Sequence, residues 1–253
     1  MRSTRLSSEP ARTDLAALPL DQRLARLRQQ MDAIPTHGGS AARTPVPGHD
    51  VLPVPGPLGD LLPDNGLARG TMVACPRGAV LCGLLAAATA SGRHAAILTD
   101  PAGPQIGLLA AWELGGVLER IAVVHTPDDR VAEVVGVLAD GLDVIVLDLP
   151  FAHIRPSDLE KMRGRLRARG AILVTTRSDW ARQAHLVLRI QRRPTYGLGR
   201  GRGRVSQIDL DIDALVGGRC VRRGRVVLRG HGGRTRWNHP DIDAAPLTLA
   251  NTG

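Results

Sequence analysis

The sequence predicts an α/β fold: a parallel sheet flanked by helices, with antiparallel edge strands toward the C-terminus. Three observations carry this prediction. Short apolar runs alternate with helical stretches from Thr71 to Thr175. The runs are continuously apolar, as strands buried on both faces should be. After His185 the pattern changes to alternating strands separated by Gly-rich turns. Strands alternating with helices imply right-handed crossovers within one parallel sheet.

The elements follow in order. Leu20, Leu24, Leu27, Met31 and Ile34 recur at steps of four and three, one face of a helix. Pro19 suits its first turn and Pro35 ends it. The stripe either packs on its own domain or binds a partner; it is too short for a coiled coil. Residues 1–34 thus read as a tail and helix, and the Pro- and Gly-rich residues 35–57 as a linker. The core is expected over 58–229. Its first strand is Thr71–Cys75, followed by an Ala- and Leu-rich helix over Val80–Ala90. Strands are expected at His94–Thr99, Ile121–His125, Val144–Leu147 and Ala171–Thr175. Helices are expected at Ile106–Leu114, Arg130–Ala139 and Pro156–Arg169. Ser157 to Glu160 reads as a capping box, and Gly170 as a helix stop. His185–Gln191, Arg204–Asp213 and Gly224–Arg229 read as antiparallel edge strands. Residues 230–253 lack periodicity and read as a flexible tail.

Composition narrows the function classes. No apolar run approaches the roughly 20 residues of a membrane helix. Met1–Arg12 is not followed by a signal-peptide core. A cytoplasmic protein, with association to the nucleoid open, is expected. Cys75, Cys82 and Cys220 form no CxxC pair and no metal spacing, so reduced, buried thiols are expected. The eight His show no HExxH-like spacing, and no GxSxG is present. No cofactor and no metal are expected.

One loop sits where a phosphate-binding loop would. Such a loop follows the first strand and needs glycines, a Lys for phosphates and a Ser or Thr for Mg²⁺. Here Pro76-Arg77-Gly78-Ala79 follows that strand, with Leu and Ala where the Lys and hydroxyl would stand. The chain's one lysine, Lys161, lies far downstream. Arg77 reads as a surface loop residue, because Arg does not simply replace Lys at such a site. Val144–Asp148 has the form of four apolar residues ending in Asp, which in triphosphatases orders Mg²⁺. An Asp capping the next turn is an equal reading. Arg77, Gly78 and Asp148 together mark a degenerate nucleotide site.

These segments resemble a known family. Leu58–Val73 resembles the lead-in of RecA proteins, and Leu114–Pro150 is similar to the RecA run that ends in the Asp-bearing strand. The closer resemblance is to the actinobacterial ImuA-type (ImuA-prime) proteins. It is carried by the Arg/Leu helix, Leu52–Gly70, the degenerate loop and Tyr196–Arg204. The resemblance implies a RecA-like fold and a non-catalytic adaptor in the DNA damage response. It implies as partners an ImuB-like Y-family polymerase homologue and an error-prone replicative-type DNA polymerase, acting together in translesion synthesis and SOS mutagenesis. A divergent ATPase using Asp148 and Arg77 is the enzymatic alternative.

Charge is concentrated late in the chain. Between His185 and Arg236 thirteen Arg face three acids, Asp209, Asp211 and Asp213, a local balance of +10 against +9 overall. Arg192, Arg193, Arg200, Arg202, Arg204, Arg222, Arg223 and Arg225 are the candidate contacts. Such a cluster holds DNA phosphates by counterion release, lies in solvent, or meets an acidic partner. Aromatics make up 2% of the chain, a poor supply for stacking bases.

Overall fold

The computed structural model describes residues 50–102, 106–126, 130–149, 154–199 and 202–240. The helix expected around Leu20, Leu24, Leu27 and Met31, most of the linker, Arg200 and residues 241–253 lie outside the described residues. The chain divides into a unit of residues 1–43 and one of residues 44–253. The described residues all belong to the second.

The alternation seen in the sequence is present. β3 (Met72–Ala74) leads to α1 (Ala79–Ala90), and β4 (Ala95–Thr99) to α2 (Leu108–Glu113). β5 (Ile121–His125) leads to α3 (Val131–Ala139), and β6 (Val144–Asp148) to α4 (Pro156–Arg169). β7 (Ile172–Thr175) closes the series. Then come β8 (Leu186–Gly199), β9 (Arg202–Val216), β10 (Arg219–His231) and β11 (Arg234–Asn238). These nine strands form one sheet in the order β11-β10-β9-β8-β3-β7-β6-β4-β5. From β8 to β5 all neighbours run parallel. From β8 to β11 they run antiparallel. Every residue of β3, β4, β6 and β7 is buried, which is why those runs carry no polar alternation. Among the described residues no helix is long and apolar enough to cross a membrane.

Helix ends follow local chemistry, with one correction. Pro156 occupies the first turn of α4, and Gly170 ends it in the left-handed region at φ 68°. The capping box at Ser157 does not form: Arg155 is the N-cap residue, and it makes no side-chain cap bond. Pro156 starts the helix and thereby draws Ser157 inside it.

The lead-in is ordered where the sequence suggested linker and turns. β1 (Val51–Pro53) pairs antiparallel with β2 (Gly66–Ala68), inside and just beyond the expected linker. Leu52, Leu58, Leu62 and Leu67 of this segment are fully buried. They form part of the same apolar cluster as α1 and the sheet. The Leu–Pro–Gly rhythm reads as loop because its apolar residues follow neither helical nor strand periodicity.

The expected flexible tail also needs correction. Gly230 and His231 end β10, and Arg234–Asn238 forms β11, paired through Leu228↔Trp237. Trp237 lies on α1 at Gly83. A Cβ at Gly83 would stand 2.8 Å from Trp237 Cζ2 and 3.1 Å from Leu58 Cδ2. One Trp among Arg, Thr and Asn gives a strand no readable apolar period, so the sequence conceals it. Overpacking a filled site costs about 1–3 kcal/mol. Gly83→Ala should therefore lower the urea midpoint by a corresponding amount and alter Trp fluorescence. Ala gains up to about 1 kcal/mol over Gly in a helix interior, so it is an unchanged midpoint together with unchanged Trp fluorescence that would mean β11 does not press on α1.

Candidate functional site at the strand ends and the arginine sheet

The loop from β3 to α1 is Cys75-Pro76-Arg77-Gly78. Gly78 has φ 139° and ψ −164°, a conformation essentially confined to glycine. A Cβ there would meet nothing within 4 Å, so the requirement is one of backbone alone. Gly78 carries no side chain to cap α1, and its carbonyl accepts from Cys82 N over 3.1 Å.

The turn directs Arg77 back over the strand ends. Arg77 Nε donates to Asp148 Oδ1 over 2.6 Å. The Thr176 hydroxyl donates to the same oxygen over 2.7 Å. Strand β7 lies between β3 and β6, so the guanidinium spans it, and Thr176 follows β7 directly. Asp148 is fully buried, whereas the Arg77 side chain is 35% exposed. Asp148 Oδ2 and Thr99 Oγ1 are buried and have no hydrogen-bond partner among the described residues. Thr99 and Asp148 are register partners on β4 and β6.

Arg77, Gly78 and Asp148, grouped from the sequence, are therefore one site. The reading of Arg77 as a surface residue needs correction: it is the counter-ion of a buried carboxylate. Thr176 and Thr99 gave no signal in the sequence, because a Thr at the end of an apolar strand is ordinary. Burial pushes the Cys75 thiol well above its usual range and raises Cys82. Cys220 is exposed, against expectation. Among the described residues no group of three or more His, Cys, Asp or Glu could hold a metal ion.

The arginine-rich third is an ion-paired sheet. Asp209, Asp211 and Asp213 alternate along β9, with arginines of β8 and β10 on either side. Arg193 Nε and Arg225 Nε reach Asp211 over 2.6 and 2.8 Å. Arg223 grips Asp213 through two bonds of 2.7 and 2.9 Å. Arg192 and Arg222 are exposed, at the register positions of buried Leu210 and Ala214. Arg202 and Arg204 lie on the β9 backbone, and Arg200 lies outside the described residues. The signal available beforehand was Asp-x-Asp-x-Asp at strand period opposite Arg223-x-Arg225.

A family model described as the MT3502 N-terminal domain matches residues 60–182. The uncharacterized protein Rv3395c of Mycobacterium tuberculosis (strain ATCC 25618 / H37Rv) is 33% identical over 168 residues, spanning 65% of this chain and 78% of that protein. The chain belongs to the same family as Rv3395c. The crystal structure of the RadB recombinase superposes with a TM-score of 0.48 at 12% identity, over 73% of this chain and 96% of that one. The MT3502 match contains Arg77, Gly78, Asp148 and Thr176 and stops before β8. The ion-paired arginine sheet lies outside it.

Two expectations follow. Removing one partner of a buried pair strands a charge, at roughly 3–5 kcal/mol when both groups are fully buried. Arg77 is partly solvated, so Arg77→Ala should cost less, roughly 2–3 kcal/mol. Adding Asp148→Asn should recover part of that loss in a double-mutant cycle of denaturant unfolding. Additive losses would show that the two do not act as a pair.

The second expectation concerns acid. Burial works against ionisation of Asp211, but hydrogen bonds from Arg225 and Arg193 outweigh it and hold its carboxyl below the usual value. The hydrogen bond from Arg223 does the same for Asp213. Carboxyls depressed in the fold stabilise fully above the unfolded value of about 3.9 and lose that contribution as pH falls through the folded value. Thermal midpoints measured from pH 7 to acid should fall below about pH 4. The fall should be shallower in Asp211→Asn.

Proposed function

We propose that this chain is a non-catalytic RecA-like adaptor in DNA damage tolerance, acting in translesion synthesis through an ImuB-like Y-family polymerase homologue. The single observation that carries the reading is the Arg77–Asp148 ion pair. In a working triphosphatase the strand-end Asp serves a hydrated Mg²⁺, and the loop Lys serves the phosphates. Here the loop arginine and Thr176 both occupy Asp148 Oδ1. The loop has no lysine, and only four residues connect β3 to α1. These residues do not fit a magnesium–nucleotide complex, so no step is routed through one.

A protein that keeps this scaffold without its nucleotide chemistry retains surfaces. That supports binding as the activity, and the resemblance of Leu52–Gly70 and Tyr196–Arg204 to ImuA-type proteins supports the partner. The arginines support DNA contact less directly. Arg193, Arg223 and Arg225 are already engaged by Asp211 and Asp213, which leaves their charge less free to meet phosphate.

The test pairs two measurements on the full chain. Titration with a fluorescent ATP analogue and Mg²⁺ should give no saturable binding up to the millimolar range. Co-purification with an ImuB-like protein should give a stoichiometric complex. Saturable ATP binding abolished by Asp148→Ala would favour the ATPase alternative, and failure to capture the polymerase homologue would end the adaptor reading.

A further inference from the structure

A cavity of about 260 Å³, which Asp148 does not line, lies where the start of α1, α2, β9 and the β10–β11 hairpin meet. Ala79, Ala110, Leu114, Ile208 and Leu228 give it mostly apolar walls. Its volume is below the roughly 300–1,000 Å³ typical of small-molecule and cofactor sites. It suits one large side chain. Val205, which lines it, is 38% exposed, and Leu109 (64%) and Trp112 (41%) are exposed on α2, the helix that supplies Ala110, Glu113 and Leu114 to its wall. Arg234 stacks on the Trp112 ring at 4.4 Å and donates to the Trp112 carbonyl, which fixes that rim.

Beside the cavity the sheet has an open edge. Pairing between β9 and β10 ends at Gln207↔Arg229. Beyond that point β10 pairs only with β11, through Gly230↔Thr235 and His231↔Arg234. Among the described residues, Arg202 and Gly203 of the upper part of β9 pair with Gly199 and Leu198 of β8, and no residue from Arg202 to Ser206 pairs with β10. A register irregularity between Tyr196 and Leu198 lies opposite this stretch. Val205 and Ser206, on the open edge, also line the cavity. An extended segment added to this edge would bring alternate side chains to the cavity mouth, the arrangement by which exposed sheet edges capture peptides.

Charge selects the occupant. Residues 202–208 carry Arg202 and Arg204 with no acid, and residues 230–237 carry Arg234 and Arg236 with no acid. The one acid lining the cavity, Glu113, accepts a hydrogen bond from Thr235. A nucleic-acid backbone would suit the arginines but offers nothing to an apolar cavity. We propose that the cavity and the open edge of β9 dock an extended acidic segment of a partner protein, with one large apolar side chain seated in the cavity. The inference rests on the adaptor reading for the existence of a protein partner; the site rests on its own geometry.

The probe is a fluorescein-labelled nonapeptide alternating Asp and Thr about a central Leu, titrated into the full chain at roughly 0.15 M salt. Saturable binding is expected, at least about tenfold weaker when the central Leu is Ser. Ala110→Trp, which fills the cavity, and Ser206→Pro, which removes an edge N–H, should each weaken binding by a similar factor. Circular dichroism and thermal midpoint identify a variant that has merely lost its fold, and either variant suffices. No binding, equal binding of the Leu and Ser peptides, or unchanged binding by a folded Ala110→Trp chain overturns the proposal. So does an oligonucleotide whose own binding is lost in Ala110→Trp, since that assigns the cavity to nucleic acid. Capture of the polymerase homologue by both variants, with the probe failing, removes this site and leaves the adaptor. Probe binding without such capture does the reverse.

Discussion

A carboxylate sealed inside a parallel sheet needs a partner, and in this chain the partner comes from the loop after the first core strand. Asp148 ends β6 with no exposure to water. Its charge is tolerable only because Arg77 reaches across β7 and Thr176 donates to the same oxygen. That one interaction dictates much around it. The loop must turn back sharply, which needs Gly78 in a conformation other residues avoid. α1 must begin immediately afterwards, and its start then forms one wall of the neighbouring cavity.

The antiparallel half of the sheet solves a different problem. A parallel sheet with helices on its faces still has edges, and β8 to β11 extend one of them. The extension is held by its strand ladder, by Leu188, Leu210, Ile212, Val226 and Leu228 in the core and by Trp237 pressed against Gly83 of α1, with Arg–Asp pairs across its exposed face. Arginines that look from composition like a nucleic-acid surface are thus partly taken up in ion pairs across the exposed face of the sheet. The remaining irregularity, where β10 leaves β9, is what opens the edge beside the cavity.

How much was legible depends on the range of the signal. The strands β4 to β7 and helix α4 stand in the sequence almost to the residue, because continuous apolar runs and Pro/Gly punctuation are local. β1, β2 and β11 were not legible. Each is short, and each is ordered by a few contacts with distant residues: Leu52 and Leu67 in the core, Trp237 on Gly83. At the site, Gly78 and Asp148 were visible from position and type. The role of Arg77 was not, because nothing local distinguishes an arginine in solvent from one folded over a buried carboxylate.

The sequence by itself determined the class of fold, the order of its parallel elements and the missing lysine, since each follows from short-range pattern and residue chemistry. Only the tertiary structure decided that Arg77 neutralises Asp148, that Asp211 and Asp213 bind the arginines of β8 and β10, and that β9 keeps an open edge. Those outcomes depend on which strands become neighbours. Neighbourhood in a sheet is set by global packing, between residues that stand far apart along the chain.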